Sequence, residues 1–238
     1  MMKLDLHTHS IASGHASTAT ITDIAKTAHA NGLSLVGLSD HAPATLCAGK
    51  PSYFQSLSYA PRVRCGIPIL YGVELNILDF DGRVDLDNTI LEKLDYAILS
   101  MHTANIRPGS ISQNTNAYIQ AMKHAKVKII GHCDDVSYPV DYKSILDAAM
   151  AHNIVFEINN ISLSPEGYRG DTLANNTTIL KLCAEKNYPV ILGSDSHGTE
   201  HIGDFGYALD LIKRLNFPKH LILNTSVESM LNFLKINI

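Results

Sequence analysis

A chain of 238 residues with 45% hydrophobic side chains can bury a sizeable core, and it falls in the range of a single α/β barrel of roughly 200–250 residues. A formal net charge of −4 without any basic run argues against a dedicated nucleic-acid binder, whose phosphate contacts need clustered Lys and Arg. No apolar run approaches the ~20 residues that span a bilayer. The first ten residues lack the apolar stretch of a secretion signal, and Cys47, Cys65, Cys133 and Cys183 form no CxxC pair. The expected setting is cytoplasmic, with reduced thiols.

In chain order, short apolar runs recur at intervals of roughly 25–35 residues. Strands are predicted at KLDLHTH (3–9), LSLVGLS (33–39), PILYGVE (68–74), DYAILSM (95–101), VKIIGH (127–132), IVFEIN (154–159) and PVILGS (189–194). Between them, 22–32, 114–125, 141–152, 175–187 and 205–215 carry helical patterns; the first ends in Asn-Gly, a C-cap signal. The segment 51–66 reads as a broken helix and 86–94 as a short one. HLILN (220–224) reads as a last strand-like piece before a capped amphipathic helix. No repeat, low-complexity tract or Pro/Gly/Ser linker divides the chain, so one domain covering 1–238 is expected. Seven strand–helix units in series imply parallel strands with right-handed crossovers, in an open sheet or a closed barrel.

The polar residues favour the barrel. His7 and His9 end the first strand, His41 follows the second, Glu74 ends the third, His102 follows the fourth and His132 ends the fifth. Asp195 and His197 follow the seventh, and His15 lies in the loop after the first. Residues i and i+2 of a strand share a face, so His7 points with His9 and Asp195 with His197. Strung along an open sheet these groups would never meet; around a closed barrel they surround one mouth, the usual seat of chemistry.

One strand-end histidine is ordinarily structural. Nine converging ligand-type residues would each need a separate partner in a tight space, and divalent ions solve that in one step. Nine ligands suit two or three ions, with a carboxylate bridging a pair. The other histidines sort differently. His29, His124 and His152 sit near helix C-termini, where an imidazole is favourable without ligating anything. His220 reads as surface, and His201, which follows the last cluster, is a minor candidate for lining the mouth on proximity alone.

The stretches DLHTHS, ASGHAS, SDHAP, GVELNI, MHT, GHCDD, EINNIS, GSDSH and LNTSVESMLNFL together resemble the PHP (polymerase and histidinol phosphatase) family over essentially the whole chain, most closely its YcdX-like stand-alone phosphoesterases. The resemblance implies a distorted (β/α)7 TIM-like barrel with a trinuclear metal centre. It implies His7, His9, Glu74 and Asp195 as ligands of one ion. His15, His41 and His197 would hold a second, and His102 and His132, sharing bridging Glu74, a third. Two rim segments depart from the family pattern. CDD (133–135) replaces a Pro-Gly stretch, and TANIRPGS (103–110) also diverges, so substrate identity does not transfer.

The implied activity is hydrolysis of a small phosphomonoester by hydroxide generated at the metals, with no side-chain nucleophile. Zinc is the first expectation, with manganese or iron as alternatives. A guanidinium would help hold the phosphate; Arg169 is the first candidate and Arg107 the second. Asn159 either lines the mouth or bonds its own loop backbone. Three other readings compete. An amidohydrolase would bridge two metals with a carboxylated Lys at the fourth strand, where this chain has His102. A nuclease or phosphodiesterase would need the aromatic–basic interleaving that is missing here. A metal-storage or metal-sensing protein would show no turnover. Partners other than a small phosphorylated substrate are not indicated, and self-association is left open.

Overall fold

In the computed structural model, which describes residues 2–237, seven parallel strands form a nearly closed barrel wrapped by helices. The wall runs β1 (Leu4–Asp5), β3 (Leu35–Leu38), β5 (Ile67–Asn76), β6 (Tyr96–Ser100), β7 (Val127–Ile130), β8 (Val155–Asn159) and β9 (Val190–Gly193). The predicted strand at 3–9 is broken: β2 (Thr8–His9) leaves the line of β1 and pairs in parallel with β10 (Ser196–His197). A short β4 (Val63–Arg64) adds an antiparallel edge to β5.

Helices follow the strands as the periodicity predicts. They are α1 (Ile21–Ala30), α2 (Pro51–Leu57), α3 (Asn88–Leu91), α4 (Ile111–Ala121), α5 (Tyr142–His152), α6 (Leu173–Glu185), α7 (Gly206–Arg214) and α8 (Val227–Leu234). Capping boxes, Thr20 with Asp23 and Ser110 with Gln113, start α1 and α4.

The alternation of side chains across each strand builds two cores. Val36, Tyr71, Val73, Leu99, Phe156 and Leu192 point outward and pack under the helices. Leu35, Leu70, Tyr96, Ile98, Ile129, Val155 and Ile191 fill the interior. Tyr96 lies across that interior and donates its hydroxyl to Leu6 O at 2.6 Å. Gly37 and Gly72 make room: a Cβ at either would meet the Tyr96 side chain at 2.3 or 2.6 Å.

One expectation is corrected at the seam between β9 and β1. HLILN is not a strand. It forms two 3-10 turns, Lys219–Leu221 and Leu223–Thr225, with a single bridge from Ile222 to Val190. Asn224 supplies what a strand would have supplied. Its buried amide accepts from Leu192 N–H at 2.7 Å and donates to Leu192 O at 2.8 Å and Leu4 O at 3.0 Å. Met230 and Leu234 of α8 pack below, completing an apolar floor. No helix among the described residues is long and apolar enough to cross a membrane.

Candidate metal centre

The inward phase of each strand decides what reaches the mouth. On β5, Leu70, Gly72, Glu74 and Asn76 share the interior face, apolar below and polar above. On β8 the same phase carries Val155, Glu157 and Asn159. Of the nine residues expected at the mouth from the sequence, seven fall in sets of converging ligand atoms, His132 joins them through Glu74, and His15 stays exposed at the rim.

Glu74 is the hub and is fully buried. Its Oε1 lies 2.8 Å from His132 Nε2 and 3.3 Å from His102 Nε2. Its Oε2 lies 2.7 Å from His41 Nδ1 and 3.6 Å from both His7 Nε2 and His9 Nε2. Asp195 faces the same histidines, its Oδ1 3.2 Å from His9 Nε2 and 3.5 Å from His7 Nε2. The β2–β10 pairing brings His9 opposite His197, with ring centroids 4.1 Å apart. His15 is held at the rim by ring contacts of 4.9 Å with His41 and His197. Gly14 permits that loop, because a Cβ there would meet Ala48 N at 2.4 Å. Two strand-end residues sit in left-handed backbone, His132 at φ 27° and Asp195 at φ 53°, the kind of local strain that collects at functional sites.

The outer nitrogens of four rings have hydrogen-bond partners that fix their tautomers. His7 Nδ1 donates to Glu157 Oε1 at 2.6 Å. His9 Nδ1 donates to Ser13 Oγ at 2.9 Å, whose own proton goes to Asp40. His102 Nδ1 donates to Asn76 Oδ1 at 2.7 Å, and the Asn76 amide is oriented by Asp85. His197 Nδ1 donates to Asp195 O at 3.1 Å. Each leaves an Nε2 lone pair aimed inward. His7 Nε2, His9 Nε2 and His132 Nδ1 are buried without a hydrogen-bond partner, while His41 Nδ1 and Glu74 Oε2 face each other at 2.7 Å without hydrogen-bond geometry.

Lone pairs facing carboxylate oxygens repel unless a cation lies between them, so these residues fit divalent ions. Three overlapping sets have ligand atoms within 4.8 Å of one another: His7, His9 and Asp195; His9, His41 and His197; His41, Glu74 and His102. These sets divide His41 and His9 differently from the grouping implied by the family resemblance.

Protons can play the cation's part, and the titration behaviour reflects it. Burial opposes charge on His7, but Glu157, Asp195 and Glu74 overrule it and raise its pKa well above the usual value. Burial would also raise Glu74 and Asp195; the surrounding histidines, with Arg169 beside Asp195, hold both carboxyls well below the usual range. His132 is pushed down to about 4, first by burial and then by Arg169.

Arg169 is buried rather than a free loop charge. Its Nη2 donates to Asp195 Oδ2 and to Tyr168 Oη, both at 2.9 Å, and its Nη1 donates to Ser162 Oγ at 3.1 Å. Asn159 serves both readings offered for it: it donates to Asp195 Oδ2 at 3.2 Å and accepts the Ser162 N–H of its own loop at 3.0 Å. Arg107 is exposed and does not line the mouth. His29, His152, His201 and His220 are exposed, and His124 donates its Nε2 proton to Gly82 O at 3.1 Å on the outside. Glu157, which the sequence reading passed over, is buried among these groups; its signal was the two-residue spacing from Asn159 on a strand with an inward face.

The mouth opens into a cavity of about 220 Å³, rimmed by Thr45, Asn105, Asp135, Ser137 and Tyr168. A larger hollow of about 820 Å³ lies outside the barrel between the loop after β8 and α7, and none of the nine residues reaches it.

The model of the PHP domain matches residues 5–163. A protein named probable phosphatase from Clostridium novyi is 38% identical over 232 residues, covering 98% of this chain and 94% of its own length. Another of that name from Thermoanaerobacter pseudethanolicus is 40% identical over 233 residues, with the same coverage. Among solved structures, the histidinol phosphate phosphatase of Lactococcus lactis, complexed with zinc, L-histidinol and phosphate, superposes with a TM-score of 0.61 at 19% identity, covering 91% of this chain and 95% of that one. A probable 2-pyrone-4,6-dicarboxylic acid hydrolase from Acinetobacter baumannii gives 0.54 at 15%, covering 99% and 100%. At these identities the structural likenesses speak to the fold.

Proposed function

The chain belongs to the PHP domain family, and from that premise we propose that it hydrolyses small phosphomonoesters with two to three divalent ions held by His7, His9, His15, His41, Glu74, His102, His132, Asp195 and His197. A metal-dependent phosphoesterase is what the family and its phosphatase-named relatives support. The observation that carries the finer reading is the convergence of unpartnered imidazole nitrogens on the Glu74 and Asp195 carboxylates beneath a small cavity.

Bound divalent ions supply Lewis acidity and bring the pKa of water toward neutrality. The protein's own groups do the rest. Glu157, Ser13, Asn76 and the Asp195 carbonyl hold four rings with Nε2 inward. Arg169, pinned against Asp195, puts a fixed positive charge at the cavity wall for the phosphoryl oxygens. Its Nη2 also donates to Tyr168 Oη, an exposed side chain that lines the same cavity. The cavity has room for a phosphoryl group and a small alcohol, and its rim lacks a basic track for a polymer backbone.

Zinc is the first choice of ion for this donor set, with manganese and iron tested beside it. The deciding experiment compares initial rates on p-nitrophenyl phosphate and bis-p-nitrophenyl phosphate at equal metal loading, with elemental analysis of the same samples. The monoester should turn over faster, with inorganic phosphate a competitive inhibitor. Faster diester cleavage, or degradation of single-stranded DNA at low enzyme concentration, would replace this reading with the phosphodiesterase one.

A further inference from the structure

We infer that Glu157 is a positioning residue for metal capture, acting on His7 and His132 together, and that Gly193 is the gap in the barrel wall that lets it do so. The inference rests on the reading that these two histidines hold metal.

Glu157 belongs to none of the three sets of converging ligand atoms. Its two oxygens are taken up by donors instead. Oε1 accepts from His7 Nδ1 at 2.6 Å; Oε2 accepts the His132 backbone N–H at 2.9 Å and Asn159 Nδ2 at 3.0 Å. The partners come from distant parts of the chain: His7 from the break between β1 and β2, His132 from the turn after β7.

To reach His7 from β8, the carboxylate must pass over β9, which lies between β8 and the β9–β1 seam. It passes at Gly193. A Cβ built there would stand 1.8 Å from Glu157 Oε1 and 3.1 Å from His7 Cβ. Any side chain at 193 would drive the carboxylate from its place, so the two residues form one device.

The chemistry calls for a carboxylate. Both oxygens face only N–H groups. A glutamine would present one oxygen and one amide nitrogen, setting N–H against N–H on one side. By accepting from Nδ1, Glu157 makes Nε2 the nitrogen that yields its proton to a metal and raises its basicity as a ligand. By accepting the His132 amide, it holds that residue in the left-handed backbone that directs its ring at Glu74.

The test is Zn²⁺ titration against a competing chelator for wild type, Glu157→Gln, Gly193→Ala and the double variant, with His7→Ala as reference and thermal midpoints of the metal-free proteins recorded. Each single variant should weaken the ions bound through His7 and His132 by about 10–100-fold while the ion on His15, His41 and His197 keeps its affinity. The double variant should be no worse than the weaker single, because both changes remove the same contact. A purely structural role would lower the metal-free midpoint and spare the affinities, or weaken every ion alike, and either pattern overturns the inference. So do additive losses. If Gly193→Ala does not fold, Glu157→Gln decides alone. Unchanged affinities in Glu157→Gln beside a clear loss in His7→Ala would sink the inference and leave the metal reading standing; no uptake by wild type would sink both.

Discussion

The floor and the mouth of this barrel close the same seven-stranded wall by opposite means. At the floor, one neutral amide, Asn224, satisfies the backbone of β9 and β1, and the buried cluster there, with Leu4, Ile191, Met230 and Leu234, is apolar. At the mouth, the ends of β2 and β10 pair across the seam and bring together imidazoles and carboxylates, several of whose polar atoms find no protein partner. Buried polar groups are ordinarily satisfied because an orphan costs about 1–3 kcal/mol. A floor that obeys that rule and a mouth that breaks it mark where the fold serves stability and where it serves binding.

The comparison can be broken most sharply at Asp195. Its carboxylate meets His7, His9 and Arg169 at once. Asp195→Ala should lower kcat/KM by at least about 10²-fold. Asn224→Ala, assayed where it remains folded, should keep turnover near wild type. Comparable losses in the two variants would mean that mouth and floor are not functionally distinct.

Much of this division was legible in the sequence, for a physical reason. Strand ends reveal themselves by an apolar run followed at once by His, Asp or Glu, and the two-residue repeat sets His7 with His9 and Asp195 with His197. The barrel followed because only closure lets six strand ends meet. What escaped were features set by long-range geometry. Glu157 sits inside an apolar-looking run, and its role depends on Gly193 of a neighbouring strand. HLILN has the composition of a strand, yet the narrow seam admits a side-chain amide in place of a ladder. The break between β1 and β2 has no breaker residue; it is visible only in the pairing of β2 with the distant β10. Arg169 was found as a loop cation, but its burial against Asp195 came only with the folded loop.

The floor can be tested on its own terms. Asn224→Ala removes three side-chain hydrogen bonds and takes those partners from the buried Leu192 N–H, Leu192 O and Leu4 O. A loss of about 3 kcal/mol in unfolding free energy is expected, with unchanged Zn²⁺ affinity in the folded protein. Urea unfolding and metal titration on one preparation measure both. A stability loss under about 1 kcal/mol would show that water or a shifted backbone replaces the amide.

At the mouth, proton linkage gives a smaller effect with a definite sign. Burial disfavours the charged form of His7 and His41, yet neighbouring carboxylates overrule it and raise both pKa values in the metal-free protein. A ligating imidazole must be neutral, so metal uptake expels these protons. Affinity should therefore rise with pH, roughly tenfold per unit for each proton displaced, and level off only above the raised pKa values. Calorimetry of Zn²⁺ binding in two buffers of different ionisation enthalpy would count the protons. Heats independent of buffer, with affinity flat across neutral pH, would show that the rings are already neutral and that the repulsion inferred between their lone pairs and the carboxylates is relieved some other way.

The smallest effect belongs to the histidines outside the barrel, and it sharpens the comparison by what it leaves intact. His29 lies in the last turn of α1 and is exposed, and His152 ends α5, where Asn153 takes the left-handed C-cap at φ 55°. An imidazole there gains at most the helix-dipole interaction, under about 1 kcal/mol, and alanine's better helix propensity offsets part of it. Their rings touch neither Glu74 nor Asp195, so His29→Ala and His152→Ala should bind the same number of ions and turn over substrate at the wild-type rate. A loss of bound metal in either would mean that coupling reaches from the outer helices to the mouth, and would end the distinction between strand-end and helix-end histidines on which the nine-residue assignment depends.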